Sequence, residues 1–441
     1  MARANAGALH ALCVLFVLTS SRLRDVFSGF LLGVLTCMFR EGKTNPMNAI
    51  VQRMGSLAAL LAAGTIGVCA HWETRAVGAR NPNAMATYAG EAETRMVGSW
   101  DPKAAAAYLD QRESWWMDWP KAARDHETFC VSCHTVLPYA LSRTALRKAF
   151  AEEAPSLNER RLLDNVKKRV RLWREIAPFY SDAERGAYKT AESRGTESVL
   201  NALILASDEA QNRELSNDAR MALDNMWAEQ QINGSKEGTW LWLRFANEPW
   251  EADDSDFYGA ALAAIAAGTA PGDYRVRPEI QNNLKMLRKY LNRESAAQPT
   301  FNRVVLLWAS ARMPGLLKPE QQRAIIDEVL AKQQTDGGWS LSSLAGTWKR
   351  QDGTPQEAKS DGYATGLITF ALQQLGVSPE NAQYKQAIVW LEAHQNKPEG
   401  WWPAYSLNKN QEHHISPDTA RFMNDAATAY AVLALTEAGS R

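Results

Sequence analysis

From about Asn158 onward the sequence alternates two kinds of helical segment, and few folds accept that alternation. One kind is amphipathic and charged: Glu159–Glu175, Asn217–Gln231, Pro278–Asn292, Pro319–Gln334 and Pro379–Gln395. The other is short and almost wholly apolar or small: Glu197–Ala206, Asp256–Ala267, Phe301–Ala311, Asp361–Leu375 and Asp425–Ala438. A helix that is apolar on every side has to be buried, and a helix with one apolar stripe can cover it. About five such outer and inner pairs, closed around a centre, make an all-α fold of the α/α toroid type over residues 156–441. Three outer segments open with Pro-Glu (Pro278, Pro319 and Pro379), as suits a first helical turn. Gly268, Gly315, Gly376 and Gly439 follow four inner segments as expected stops.

The linkers between outer and inner segments also repeat. They read Gln231 to Gly238-Thr239-Trp240, Gln334 to Gly337-Gly338-Trp339 and Gln395 to Gly400-Trp401-Trp402. Asp256, Asp361 and Asp425 then stand where a helix N-cap belongs. The Gln-to-Gly-x-Trp spacing resembles the QW repeats of the squalene–hopene cyclase and protein prenyltransferase superfamily, over about residues 200–441. The resemblance implies a structural role, with Gln capping the outer helix beneath the Trp ring and tying neighbouring repeats together.

That family's chemistry is not carried over whole. Class II cyclases protonate an alkene with a D-x-D-D acid, and the nearest text here is Glu251-Ala252-Asp253-Asp254, just before Asp256. Glu251, Asp253, Asp254 and Asp256 are therefore the candidates for an acid catalyst, a weak cation site or a solvated acidic loop. Prenyltransferases hold zinc through Asp, Cys and His, yet residues 135–441 contain no Cys. His413 and His414 sit in a polar loop, as a metal-binding or simply solvated pair. Trp240, Trp242, Trp250, Trp348, Trp401, Trp402 and Tyr405 suit repeat packing, or the mouth of a carbohydrate or isoprenoid site.

Ahead of the repeats lies Cys130-Val131-Ser132-Cys133-His134, a C-x-x-C-H. Two thiols at this spacing add to the two vinyl groups of one haem, and the adjacent His reaches the iron as proximal ligand. At these residues the chain resembles c-type cytochromes. A structural zinc site would need four ligands, with His126 the distant fourth. A thioredoxin-like pair or a small-loop disulfide is the other reading. No Met or His lies between His134 and Met221, so Met117 and His126 are the near candidates for a sixth iron ligand, and an open position is equally allowed.

The other three Cys, Cys13, Cys37 and Cys69, lie in apolar runs within residues 1–70. These runs are about 13–14 residues long, too short to span a bilayer but right for a signal-peptide core. The last ends Val68-Cys69-Ala70, and Met47 stands before it as an alternative start. Residues 1–70 are thus expected to be a signal peptide or membrane anchor, with the remainder periplasmic or otherwise extracytoplasmic. The charge balances, with Lys+Arg and Asp+Glu both 49, and nothing in that balance points to nucleic acid or an anionic membrane as the main partner.

Residues 71–155 are expected to form a small helical haem c segment, packing its Trp residues on the toroid near Leu172 and Trp173. The whole reads as a c-type haem protein with one covalent haem c, working in electron transfer with a redox partner protein or in haem-coupled ligand binding. The alternative is an enzyme in the toroid cavity, a terpene cyclase-like isomerase or a polysaccharide lyase or hydrolase.

Overall fold

A computed structural model describes residues 100–180, 186–408 and 418–439, all within one compact unit, Glu91–Arg441. The expectations for residues 1–70, for Cys13, Cys37 and Cys69, and for His413 and His414 lie outside the described residues.

Twelve α-helices dominate the described residues: α1 (Pro102–Asp118), α2 (Val136–Ala149), α3 (Leu157–Arg171), α4 (Ala187–Asp208), α5 (Asn217–Ala228) and α6 (Ser255–Thr269). They continue with α7 (Gln281–Glu294), α8 (Thr300–Arg312), α9 (Pro319–Ala331), α10 (Gly362–Gln374), α11 (Ala382–Ala393) and α12 (Phe422–Gly439). A two-residue antiparallel hairpin, β1 (Ala123–Arg124) with β2 (Thr128–Phe129), lies between α1 and α2. The even-numbered helices pack in sequence, and α12 returns against α2, so they close a ring. The odd-numbered helices cover them from outside. Among the described residues no helix is long and apolar enough to cross a membrane.

The toroid therefore has six outer and inner pairs rather than about five. The added pair is α1 with α2, and it comes from the stretch expected to be a haem c segment packed on the toroid. Its inner helix escaped the pattern because α2 is not apolar all round. Arg143 is buried in it, carried by ion pairs to Asp110 and Glu152. The other inner helices behave as their composition requires. In α6 every residue from Ser255 to Ala267 is buried, and each large aliphatic side chain so buried contributes about 1.5–3 kcal/mol.

Local signals start several helices. Ser156 and Glu159 form a capping box on α3, and Ser216 caps α5. Of the three Pro-Glu pairs only Pro319 begins an α-helix; Pro278 begins a 3-10 turn and Pro379 precedes α11. Of the four expected stops, Gly315 and Gly376 take positive φ beyond α8 and α10. Gly268 instead lies inside α6, where a Cβ would meet the Arg312 carbonyl oxygen at 2.5 Å.

The linkers explain how the ring is stitched. The indole N–H of Trp240, Trp339 and Trp402 donates to Met226, Val329 and Leu391 carbonyls, in the last turn of the outer helix just left. One Gln per linker donates both to its own Gly carbonyl and to the start of the next outer helix. Gln230 reaches Gly238 and Asn283, and Gln333 reaches Gly337 and Gln383. In these two repeats the bridging residue is thus one position before the Gln read from the sequence. Gln395 reaches Gly400 and Asp101, so the last linker ties directly to the N-cap of α1 and closes the circle.

Because outer and inner helices alternate, all six inner helices run the same way. Their N-termini and the linkers form one mouth, and their C-termini form the other. Between the mouths the ring is filled by aromatic side chains: Tyr363 stacks on Tyr430 (5.3 Å) and on Trp250 (5.9 Å), with Phe301 edge-on to Tyr363.

Candidate functional site

The C-x-x-C-H motif is the linker of the first repeat, leading from the β-hairpin into α2 at the N-terminal mouth. Its anchors are local and specific. The Trp116 indole donates to the Cys130 carbonyl at 2.8 Å, and Asn165 exchanges two hydrogen bonds with the Phe129 backbone. The Ser132 hydroxyl accepts from the Thr135 and Val136 amides. Cys130 and Cys133 are buried, free thiols, not a disulfide. Burial pushes the Cys130 thiol up to about 12 and Cys133 well above its ordinary value, with Glu251 adding to the latter. Both stay protonated, the wrong state for an exchange-active pair.

His134 is enclosed by rings. Phe422 stacks on it at 3.7 Å, Trp116 stands edge-on at 5.1 Å and Trp250 is tilted at 5.5 Å. Burial, with the Arg112 charge, lowers its pKa to about 3, so the imidazole is neutral. Its Nδ1 lies 2.9 Å from the Thr135 hydroxyl, which itself donates to Asp425 Oδ2 at 2.8 Å. A hydroxyl that gives its only proton to Asp425 can only accept from Nδ1, so Nδ1 carries the ring proton and Nε2 the lone pair. That is the tautomer of a metal-ligating His with its other nitrogen fixed by an outer partner.

Asp425 is itself saturated. Arg112 donates from Nε to Oδ1 and from Nη2 to Oδ2 (2.7 and 2.9 Å), and the Tyr108 hydroxyl donates to Oδ1 (2.8 Å). Burial works to raise the Asp425 carboxyl, but four donors leave no place for a carboxyl proton, and the pair is ionised. Burial alone would lower Arg112; Asp425 outweighs it and holds the guanidinium above its usual value. Asp425 therefore does not cap its helix. It lies within the first turn of α12 and anchors α1 and the C-x-x-C-H segment. Only Asp361 is an N-cap of the expected kind, accepting from the Ala364 amide.

A cavity of about 320 Å³ opens at this mouth, walled by Trp116, Trp119, Phe179, Trp250 and Phe422. A pocket of about 40 Å³, lined by both cysteines, adjoins it, and His134 and Glu251 line the two. Two thiols, an imidazole with its free lone pair, and an aromatic-walled space fit a covalently held haem. Among the described residues no three His, Cys, Asp or Glu side chains converge as a metal site, which leaves the zinc reading without a ligand set.

The sixth-ligand candidates do not face this space. His126 is exposed beside Asp125 (3.1 Å), and Met117 is buried on α1 outside the cavity lining. Met423, which follows Phe422, does line it. The four acids also separate. Glu251 lines the cavity, Asp253 is exposed, Asp254 accepts from the Trp348 indole (3.2 Å), and buried Asp256 pairs with Lys236 (2.9 Å) and Arg244 (2.7 Å). The Trp residues of the first repeat pack on the last one, with Trp115 and Trp116 against Phe422 and Trp100 against Trp402. Thr135 and Phe422 were not singled out from sequence; a hydroxyl directly after a haem-motif His was the available signal for Thr135.

No protein-family model matches the sequence, and neither does a curated protein. Among solved structures the chain is similar to a polysaccharide lyase at 13% identity and TM-score 0.46, covering 76% of this chain and 97% of that one. It is similar to an inactive variant of an α-1,6-mannanase from Salegentibacter sp. HEL1_6 bound to α-1,6-mannotriose (11%, 0.45, 76% and 100%). A third is the type II terpene cyclase MstE from Scytonema (18%, 0.40, 77% and 97%). Their chemistries are unlike, and no activity transfers to this chain at such likeness.

Proposed function

We propose that this chain is an extracytoplasmic c-type haem protein whose toroid includes the haem motif as one of its own linkers. Cys130 and Cys133 would hold the macrocycle covalently, and His134 Nε2 would ligate the iron. The bound haem supplies one-electron chemistry, passed to a redox partner protein or coupled to a ligand in the mouth cavity. The chain's residues do the positioning: Thr135 and Asp425 fix the imidazole, while Phe422, Trp116 and Trp250 exclude water from it. The observation that carries this reading is the His134–Thr135–Asp425 relay, which presents a bare Nε2 beside two buried thiols. Attachment of haem c takes place outside the cytoplasm, which agrees with the export expected of residues 1–70. The test is expression in a host that matures c-type cytochromes. An absorbing haem that stays with the denatured chain, and is lost in Cys130→Ala, supports the reading; no covalent haem refutes it.

One observation favours an enzyme in the same mouth: Glu251 lines both cavities beside His134. Glu251→Gln should abolish any turnover found there while leaving haem attachment intact. Against a cyclase-like or lyase-like reaction deeper in the ring stands the aromatic filling at Tyr363 and Tyr430.

A further inference from the structure

The opposite mouth holds a second, separate cavity of about 360 Å³, within the range of small-molecule pockets. It is lined from the C-terminal halves of all six inner helices, and the stacked Tyr363 and Tyr430 lie between it and the haem motif. Its walls are apolar, from Leu141, Trp308, Phe370 and Leu433, each nearly inaccessible to solvent. Two polar atoms of the lining are buried without a partner, the Trp308 indole N–H and the Thr269 hydroxyl. Buried donors are nearly always paired in folded proteins, so an orphaned N–H in a cavity wall marks a place for an acceptor.

Arg312 stands in the same wall. It donates to Gln374 Oε1 and forms no salt bridge among the described residues, and Glu437, which lines the same cavity, acts on it electrostatically. Six inner helices direct their carbonyl ends toward this mouth, which disfavours anions in general. A largely buried guanidinium without a paired carboxylate is therefore a specific feature, matched to an anionic group that brings its own acceptors. The lining thus sets two cations, Arg312 and Lys148, against one acid, Glu437, around a mainly apolar wall, which suits an anionic amphiphile.

We infer that the C-terminal mouth of the toroid binds a small carboxylate with an apolar body, its carboxylate on Arg312 and an oxygen within reach of the Trp308 N–H. The site is independent of haem loading, so it stands or falls apart from the function proposed above.

The test uses isothermal titration of the purified full chain with octanoate, octanol and octylamine. Octanoate is expected to bind saturably at one site, more tightly than octanol, with no binding of octylamine. Arg312→Gln should weaken octanoate by about tenfold or more while leaving octanol unchanged. Leu433→Trp, which fills the cavity, should remove binding of both, with circular dichroism confirming that each variant is folded. Equal affinity for octanoate and octanol, octanoate binding unaltered in Arg312→Gln, or no saturable binding at all would overturn the proposal.

Discussion

Asp425 and Thr135, 290 residues apart in the chain, share a 2.8 Å hydrogen bond that joins the first inner helix of the toroid to the last. The same bond orients the haem-motif histidine through the Thr135 hydroxyl. Ring closure and site assembly are thus one event, because the repeat that closes the circle also fixes the imidazole.

A first consequence is electronic. In the proposed haem protein, a carboxylate at the end of the relay would increase the donor strength of the imidazole and favour ferric iron. Thr135→Val keeps the shape of the side chain and removes the relay. The haem-loaded variant is expected to keep its covalent haem and raise its reduction potential by on the order of tens of millivolts, measured by potentiometric titration. An unchanged potential would mean that the relay does not act on the iron.

A second concerns closure. Arg112 and Asp425 form a buried, two-pronged ion pair between the first and last repeats. Arg112→Met leaves that carboxylate buried with only hydroxyl donors, and breaking such a pair costs about 3–5 kcal/mol. Urea denaturation should show a lower midpoint of this size. A surface pair such as Arg161 with Asp118 should contribute less than about 1 kcal/mol.

The linker glycines give a third. Gly400 has φ +84°, and a Cβ there would lie 2.0 Å from the Ala104 carbonyl oxygen of α1. Gly400→Ala should destabilise by more than about 2 kcal/mol, from left-handed strain and the displacement of α1. Gly353, at φ +73° with open space around it, is the control, with a cost of about 1 kcal/mol for the Ala variant.

Glu113 supplies the pH dependence. It is fully buried on α1 with neither carboxyl oxygen partnered, and burial, with Asp425 nearby, raises its pKa to about 8. The folded chain then keeps a proton that the unfolded chain releases near the ordinary value of 4.5. Stability from this group is full below that value and is lost as pH rises toward about 8. Glu113→Gln should flatten the decline in unfolding free energy between pH 5 and pH 8, by up to ~1.4 kcal/mol per pH unit. A variant with the same slope as the parent would place the loss in another group.

The toroid could be read from residues 156–441 because the inner segments there are almost wholly apolar or small and three of the linkers carry Gly and Trp. The first pair could not, since α2 buries Arg143 by pairing and its linker carries cysteines in place of the Gly-x-Trp text. The Cys130, Cys133 and His134 trio was plain from spacing alone. Its distant partners were not, because Phe422 reaches the imidazole, and Asp425 reaches Thr135, only after the ring closes. Asp425 read as a helix cap, but it lies within the first turn of α12, where it bonds Tyr108 and Arg112 of α1. The acidic text at Glu251–Asp256 looked like a cluster in one dimension. Only Asp256 enters α6, buried and paired with Lys236 and Arg244, while the other three stay in the preceding loop.

Attachment of the cofactor remains the question on which the function turns, and intact-mass spectrometry of the denatured chain addresses it most directly. After expression with cytochrome c maturation, the unfolded polypeptide should carry the mass of one haem, through both Cys130 and Cys133. The Cys130→Ala, Cys133→Ala double variant should carry none. A parent chain of unmodified mass under those conditions would contradict a haem c protein.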